Sequence, residues 1–185
     1  MIGNKQFKTF YVSKEESNCP LIVKAIEIGK EFKKQDFPFK LDNITISLKY
    51  GKRLLMNADN TNIKDLKRED FLEIIDYDPL KKVMLLMGSK LPRIDTSVHW
   101  LIHHARDEIN AVIQINDKDL SEKLGEKIPL TKDKYPSGTL GLAKEILKCL
   151  SESKKINIKN QGILFVGDNI MDIKNITKNT FEELK

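Results

Sequence analysis

The sequence predicts an α/β chain of the α+β type: a central, mostly antiparallel β-sheet with helices packed on its faces. Three observations lead there. Ile44, Ile46 and Leu48 alternate with Thr45, Ser47 and Lys49, the period-two pattern of a half-buried strand. Tyr50-Gly51-Lys52 then turns the chain into Leu54-Leu55-Met56, which makes a hairpin and so an antiparallel pair. Further on, short apolar runs alternate with stretches of helical period, so helices have to cover the sheet those strands build.

The other elements follow in order. Asn18-Cys19-Pro20 reads as a helix start, with Asn18 as cap and Pro20 in the first turn. Leu21, Ile22, Ala25, Ile26, Ile28, Gly29 and Phe32 recur at helical spacing behind it, and Asp36 to Pro38 ends that helix. After the hairpin, Phe71 to Tyr77 and Val83 to Met87 read as two short strands. A helix is expected from Asp95 to Arg106, with Asp95 or Thr96 as its cap. Ala111 to Ile115 is an apolar strand, Pro129 to Pro136 a loop, and Ser137 or Gly138 opens a helix running to about Glu152. Ile163 to Val166 is the last strand, Gly167 turns, and a final helix starts near Asn169.

Composition narrows the classes of function. A chain of 185 residues with 40% hydrophobic and 32% charged residues is the size and make-up of one folded domain, and 1–185 is read as a single unit. No apolar run reaches the ~18–20 residues needed to cross a bilayer. Met1 to Val12 carries lysines without a continuous apolar stretch, so it is not read as a secretory signal. Cys19 and Cys149 are too few and too far apart for a disulfide framework, and Cys149 reads as a buried thiol in a reducing cytosol. The expected location is cytoplasmic. The net charge of +5 rests on lysines spread along the chain and interleaved with acids; the arginines are Arg53, Arg68, Arg93 and Arg106. Nucleic-acid binders concentrate positive charge and use the arginine fork, so a nucleic-acid partner is not expected.

Several segments then line up in order: "NITIS" from Asn43, "LKREDFLEIID" from Leu66, "PRIDTSVH" from Pro92, "RDEINAVIQIND" from Arg106, "YPSGTLGLA" from Tyr135 and "NQGILFVG" from Asn160. Together they resemble the class II aldolase/adducin family over nearly the whole chain. The resemblance implies a central antiparallel sheet flanked by helices, homotetrameric assembly with sites near subunit interfaces, and sugar-phosphate chemistry at a zinc ion held by three histidines. Some members of that family have lost catalysis.

Position by position, the resemblance puts the three zinc ligands on Gln114, Asn116 and Gln161, and the acid/base glutamate on Asp95. The phosphate-gripping asparagine matches Asn43. The small phosphate loop falls on Asn57 to Asn60, where Asp59 would repel an anion, and a serine pair falls on Arg93 and Ile94. Primary amides are neutral and do not compete with water for zinc as imidazole does. The expectation is therefore no zinc and no cofactor, with Arg93 in a surface or interface ion pair.

The chain's three histidines, His99, His103 and His104, lie on one helix. Asp95, His99 and His103 share a face, which makes a metal site conceivable. The plainer reading has that face packed on the sheet, with His99 in the core and the other two at the helix edge. Asp95 reads just as well as the helix cap.

The function expected is a zinc-less, non-catalytic class II aldolase/adducin-like protein acting as a scaffold or binding subunit. The alternatives are a lyase or isomerase reusing the pocket without zinc, or a sensor in which Asn43, Gln114, Asn116 and Gln161 take a small hydroxyl-rich ligand. A collapsed pocket would favour the scaffold, an open one the enzyme or sensor. A homo-oligomer is expected, a tetramer by the resemblance. Its contacts would involve the outer helices and the loops around the site; the stripe of Ile170, Ile173 and Ile176, with Met171 beside it, is buried either there or on its own subunit.

Overall fold

Eight strands hydrogen-bond into one sheet in the order β1-β5-β4-β3-β2-β6-β8-β7. A computed structural model describes residues 7–34 and 43–183. Along the chain the elements are β1 (Lys8–Ser13), α1 (Leu21–Lys34), β2 (Ile44–Tyr50), β3 (Arg53–Asn57), β4 (Phe71–Asp78), β5 (Val83–Met87) and α2 (Thr96–Ala105). They continue with β6 (Ala111–Ile115), α3 (Lys118–Leu124), α4 (Leu140–Cys149), β7 (Lys155–Ile158), β8 (Gly162–Gly167) and α5 (Ile170–Glu182). The pair β1–β5 is parallel, and the other six neighbouring pairs are antiparallel.

Alternation along each strand sorts side chains to two faces. On one face Ile44, Ile46, Leu48, Ile113, Ile115, Ile163 and Phe165 meet Ile22, Ile28 and Phe32 of α1, Leu120 and Leu124 of α3, and Ile173 and Phe181 of α5. Phe165 and Phe181 meet edge to face, their ring centroids 5.8 Å apart. On the other face Val112, Leu164 and Val166 pack against Val98 and Ile102 of α2 and Leu142 and Ile146 of α4. Trp100 of α2 covers Leu54, Leu72, Ile74 and Leu86 farther along that face. Each fully buried Ile, Leu or Phe contributes ~1.5–3 kcal/mol of transfer free energy, which makes these two apolar layers the main force holding the sheet.

The predicted strands and helices are present, with differences at their ends. Ser17 rather than Asn18 holds the turn into α1: its hydroxyl accepts from Cys19 N at 3.0 Å and donates to Glu73 Oε1 at 2.6 Å. The predicted end of that helix, Asp36 to Pro38, lies outside the described residues. The cap of α4 is Thr139, which accepts from Leu142 N, one or two residues later than expected. Asn169 caps α5 as predicted, accepting from Met171 N and Asp172 N. Cys19 is buried, whereas Cys149 is only half-buried, and burial raises both thiols above their ordinary value.

Three elements went unpredicted. β1 is an edge strand whose alternate residues, including Phe10 and Val12, are exposed, and its strand partner is the distant β5. β7 has four residues, pairs with β8, and on its other side makes a single parallel bridge from Asn157 to Leu130. α3 is short, yet it carries ordinary signals, an Asp117 cap accepting from Leu120 N and Gly125 at positive φ behind it.

The apolar stripe of α5 is covered by its own chain. Ile173 and Phe181 are buried in the core shared with α1, Ile170 and Ile176 pack on its border, and Met171 is exposed. Most of the stripe is therefore packed within its own chain, and Met171 is the member left exposed. Among the described residues no helix is long and apolar enough to cross a membrane.

One glycine sets the spacing at the end of the sheet. Gly162 has φ +155, and a Cβ there would lie 1.9 Å from Ile115 O. Only glycine lets β8 start this close to the end of β6, which places Gln161 beside Asn116 at the same end of the sheet.

Candidate functional site

The alternation in β2 is real, but its polar side does not face water. Thr45 and Ser47 are both fully buried. They point at α2, and a simple commensurability explains why the contact repeats. Four residues of α-helix advance ~6.0 Å and two residues of strand ~6.7 Å, so residues at i, i+4 on a helix can follow residues at i, i+2 on a strand running alongside. Asp95, His99 and His103 form the helical column; Thr45, Ser47 and Lys49 form the strand column. β6 adds Gln114, whose Cα pairs with Thr45, and Asn116, whose N–H donates to Asn43 O at 2.9 Å.

The result is a continuous polar seam. Thr45 Oγ1 donates to Asp95 Oδ2 at 3.0 Å, and Asn116 Nδ2 donates to the same oxygen at 3.1 Å. Gln114 Nε2 donates to Asn116 Oδ1 at 2.7 Å, while Gln114 Oε1 lies 3.1 Å from His99 Nε2. Ser47 Oγ bridges His99 Nδ1 at 2.7 Å and His103 Nε2 at 2.9 Å, and His103 Nδ1 ends the series 3.0 Å from Ile109 O. Asp95, His99, His103 and Gln114 are all buried.

These contacts correct three expectations. Asp95 stands at the cap position of α2, but its side chain makes no capping bond and turns into the seam; Thr96 Oγ1 reaches back to Arg93 O instead. His103 is fully buried rather than at the helix edge, and only His104 is exposed, stacked on Trp100 with centroids 3.8 Å apart. Arg93 is no surface ion pair: it is buried, and its Nη2 donates to Asn43 Oδ1 while its Nε has no partner.

At the Asp95 end the seam opens into a cavity of about 400 Å³. Its lining includes the four sequence-predicted residues Asn43, Asp95, Asn116 and Gln161, joined by Arg93, Asp59, Lys118 and Ser137. Gln114, the fifth predicted residue, lies one layer beneath. Gln161 Oε1 accepts from Ser137 Oγ at 2.9 Å, and its Nε2 donates to Tyr135 O. Sequence reasoning missed Lys118 and Ser137 as cavity residues; the only signal for Ser137 was its place in the loop before α4. Asn57, expected in a phosphate loop, is a buried splint that accepts from Ile46 N and donates to Ile44 O.

Known proteins share the fold far more visibly than the sequence. No protein-family model matches the sequence, and no curated protein matches it. Solved structures do match. An L-fuculose 1-phosphate aldolase superposes with a TM-score of 0.74 at 16% identity, covering 89% of this chain and 83% of that one. The L-fuculose-1-phosphate aldolase from Thermus thermophilus gives 0.71 at 14% identity, over 88% of this chain and 89% of its own. The N-terminal class II aldolase domain of a protein from Thermoplasma acidophilum gives 0.58 at 16%, over 88% and 90%. The chain has the class II aldolase fold.

Whether the residues at this end of the sheet fit a zinc ion is decided by their donors. The positions matched to zinc histidines hold three amides, whose oxygens and nitrogens already bond His99, Asn116, Asp95, Ser137 and Tyr135. Both nitrogens of His99 and of His103 are likewise engaged within the seam. Among the described residues no group of three His, Cys, Asp or Glu side chains could hold a metal ion. The residues do not fit the ion.

Burial dominates the electrostatics. It pushes His99 down to about 4 and His103 down to about 3. In an unfolded chain both imidazoles take up a proton below about 6.5. The unfolded state thus binds more protons than the folded one below that pH. Stability from the neutral rings is complete above about 6.5 and is lost as pH falls toward their folded values. Each ring contributes a slope of ~1.4 kcal/mol per pH unit within the window. Replacing His103→Gln should remove one ring's share, seen as a shallower fall of the urea midpoint between about pH 6 and 4.5. An unchanged slope would mean that His103 is not buried and neutral.

Proposed function

We propose that this protein is a zinc-free binding module that takes a small, hydroxyl-rich molecule in the cavity at the end of the seam, without aldol cleavage. The observation that carries the reading is the state of the three amides. Gln114 and Asn116 bond each other within the seam, and Gln161 bonds Ser137 and Tyr135. The two amides that reach the cavity, Asn116 and Gln161, each keep a second N–H for a ligand rather than a ligand set for a cation. Neutral amides and hydroxyls of this kind match the alternating donors and acceptors of a polyol. The cavity of about 400 Å³ supports the binding reading, because polar side chains from the end of β6, the loop before α2 and the loop before α4 converge on it. The orphaned Nε of Arg93 points the same way: a buried N–H without a partner costs about 1–3 kcal/mol until something accepts from it.

The proteins that share the fold are named as aldolases, and this reading departs from their chemistry. The amides supply no Lewis acid, and the cations that line the cavity are Arg93 and Lys118. A homo-oligomer, tetramer included, belongs to the same proposal. It rests now on exposed Phe10 and Val12 of β1 rather than on α5.

The test is one set of thermal unfolding curves. Chelator should leave the melting temperature unchanged, and elemental analysis should find zinc far below one per chain. A polyol or sugar acid that binds should, at one hundred times its Kd, stabilise by ~2.7 kcal/mol and raise the melting temperature by ~5–10 °C. Gln161→Ala should lose that shift. One tightly held zinc per chain, or cleavage of fuculose 1-phosphate, would overturn the reading, and light scattering that returned only the 21.3 kDa monomer would remove the oligomer.

A further inference from the structure

Two buried side chains of opposite charge line the cavity without bonding each other. Arg93 and Asp95 stand on the short stretch that leads into α2, 6% and 3% exposed. Arg93 Nη2 donates to Asn43 Oδ1, a neutral acceptor, and its Nε has no partner. Asp95 commits one oxygen, Oδ2, to Thr45 Oγ1 and Asn116 Nδ2. Its other oxygen, Oδ1, takes no bond from the described residues and is open to the cavity. Among the described residues neither side chain is part of an ion pair. Buried charges are ordinarily paired. Here each is held by neutral neighbours and keeps bonding capacity at the cavity wall.

We propose, on the reading of the cavity as a binding site, that Arg93 and Asp95 select a small hydroxylated monocarboxylate. Its carboxylate lies on the Arg93 guanidinium, and one of its hydroxyls donates to Asp95 Oδ1.

Charge sets the first half of that class. Lys118 and Asp59 also line the cavity, but both are exposed, so water and salt screen them. The buried pair decides, and within it only the guanidinium attracts an anion. A carboxylate brings one negative charge and two coplanar oxygens, the shape a guanidinium recognises best. A phosphate ester would bring a second negative charge against Asp95 and Asp59.

The pattern of donors and acceptors sets the second half. Asp95 Oδ1 asks for a hydrogen, while Asn116, whose Nδ2 is 3.1 Å from Oδ2 of the same carboxylate, keeps a second N–H that asks for a lone pair. A hydroxyl supplies both. An ammonium has no lone pair for Asn116, and an ether or carbonyl has no hydrogen for Asp95. The loop before α4 repeats the arrangement. Ser137 Oγ donates to Gln161 Oε1 and keeps its lone pairs, and Gln161 Nε2 donates to Tyr135 O and keeps an N–H. A second hydroxyl fits there.

Titration calorimetry of the wild-type protein with four probes tests the assignment: glycerate, glycerol, propionate and glycerol 3-phosphate. Glycerate should bind at least ~10-fold more tightly than each of the others. Glycerol binding as well as glycerate would overturn the part given to Arg93, and propionate binding as well would overturn the part given to Asp95. Glycerol 3-phosphate binding as well or better would overturn the choice of a carboxylate. In each of these cases the cavity remains a binding site, whereas binding by none of the four would overturn that reading and this proposal with it. Two substitutions locate the carboxylate. Arg93→Gln should bring glycerate down to the affinity of glycerol. Lys118 is exposed, so Lys118→Gln removes the other cation without touching the core, and it should still bind glycerate more tightly than glycerol. A preference lost in Lys118→Gln would put the carboxylate on Lys118 and overturn the assignment to Arg93.

Discussion

The contact between α2 and β2 is the constraint on which the rest depends. Helix and strand repeat at nearly the same distance, so Asp95, His99 and His103 can address Thr45, Ser47 and the backbone beyond them in step. A sheet face covered by helices is ordinarily apolar, and this one is apolar on either side of the seam, at Val112, Leu164 and Val166 and again at Leu54, Leu72 and Leu86. Beneath its open end at Asp95, the polar column between them is buried and must satisfy itself. A satisfied buried hydrogen bond contributes ~0.5–1.5 kcal/mol, whereas a broken one costs ~1–3 kcal/mol. The seam therefore adds modest stability and strong specificity: one register of α2 on the sheet closes every contact, and any slip opens several.

That closure also decides the chemistry at the open end. Three histidines around an ion would turn their lone pairs inward and leave their other nitrogens to be held by neighbours. The amides Gln114, Asn116 and Gln161 instead bond His99, Asp95, Ser137 and Tyr135. The fold shared with the aldolases is thus kept by apolar packing and by the Gly162 approach to Ile115, neither of which needs the metal. A shared fold therefore carries no information about the chemistry at this end of the sheet.

How much of this was legible in the sequence follows from the range of each interaction. The β2–β3 hairpin, α2, α5 and β8 were readable because their periods and turn residues are local. Asn43, Asp95, Asn116 and Gln161 were placed at one site by ordered resemblance, and they line one cavity. What failed was non-local. β1 has a parallel partner more than seventy residues away. The Thr45–Ser47 alternation read as a solvated face, since nothing in β2 announces a helix with three polar residues four apart lying over it. Asp95 read as a cap because the cap position is local information, while Thr45 and Asn116 are not. Arg93 read as a surface charge for the same reason, with its partner Asn43 fifty positions away.

Ser47 is the one seam residue that touches both histidines and nothing in the cavity, so denaturant unfolding of Ser47→Ala isolates the seam from any question of ligand. Removing the hydroxyl leaves His99 Nδ1 and His103 Nε2 buried and unmatched. If the seam is a closed series of made bonds, the variant should fold with an unchanged denaturant slope and lose ~2–4 kcal/mol. A loss below ~0.5 kcal/mol, the range of an ordinary surface change, would contradict the account.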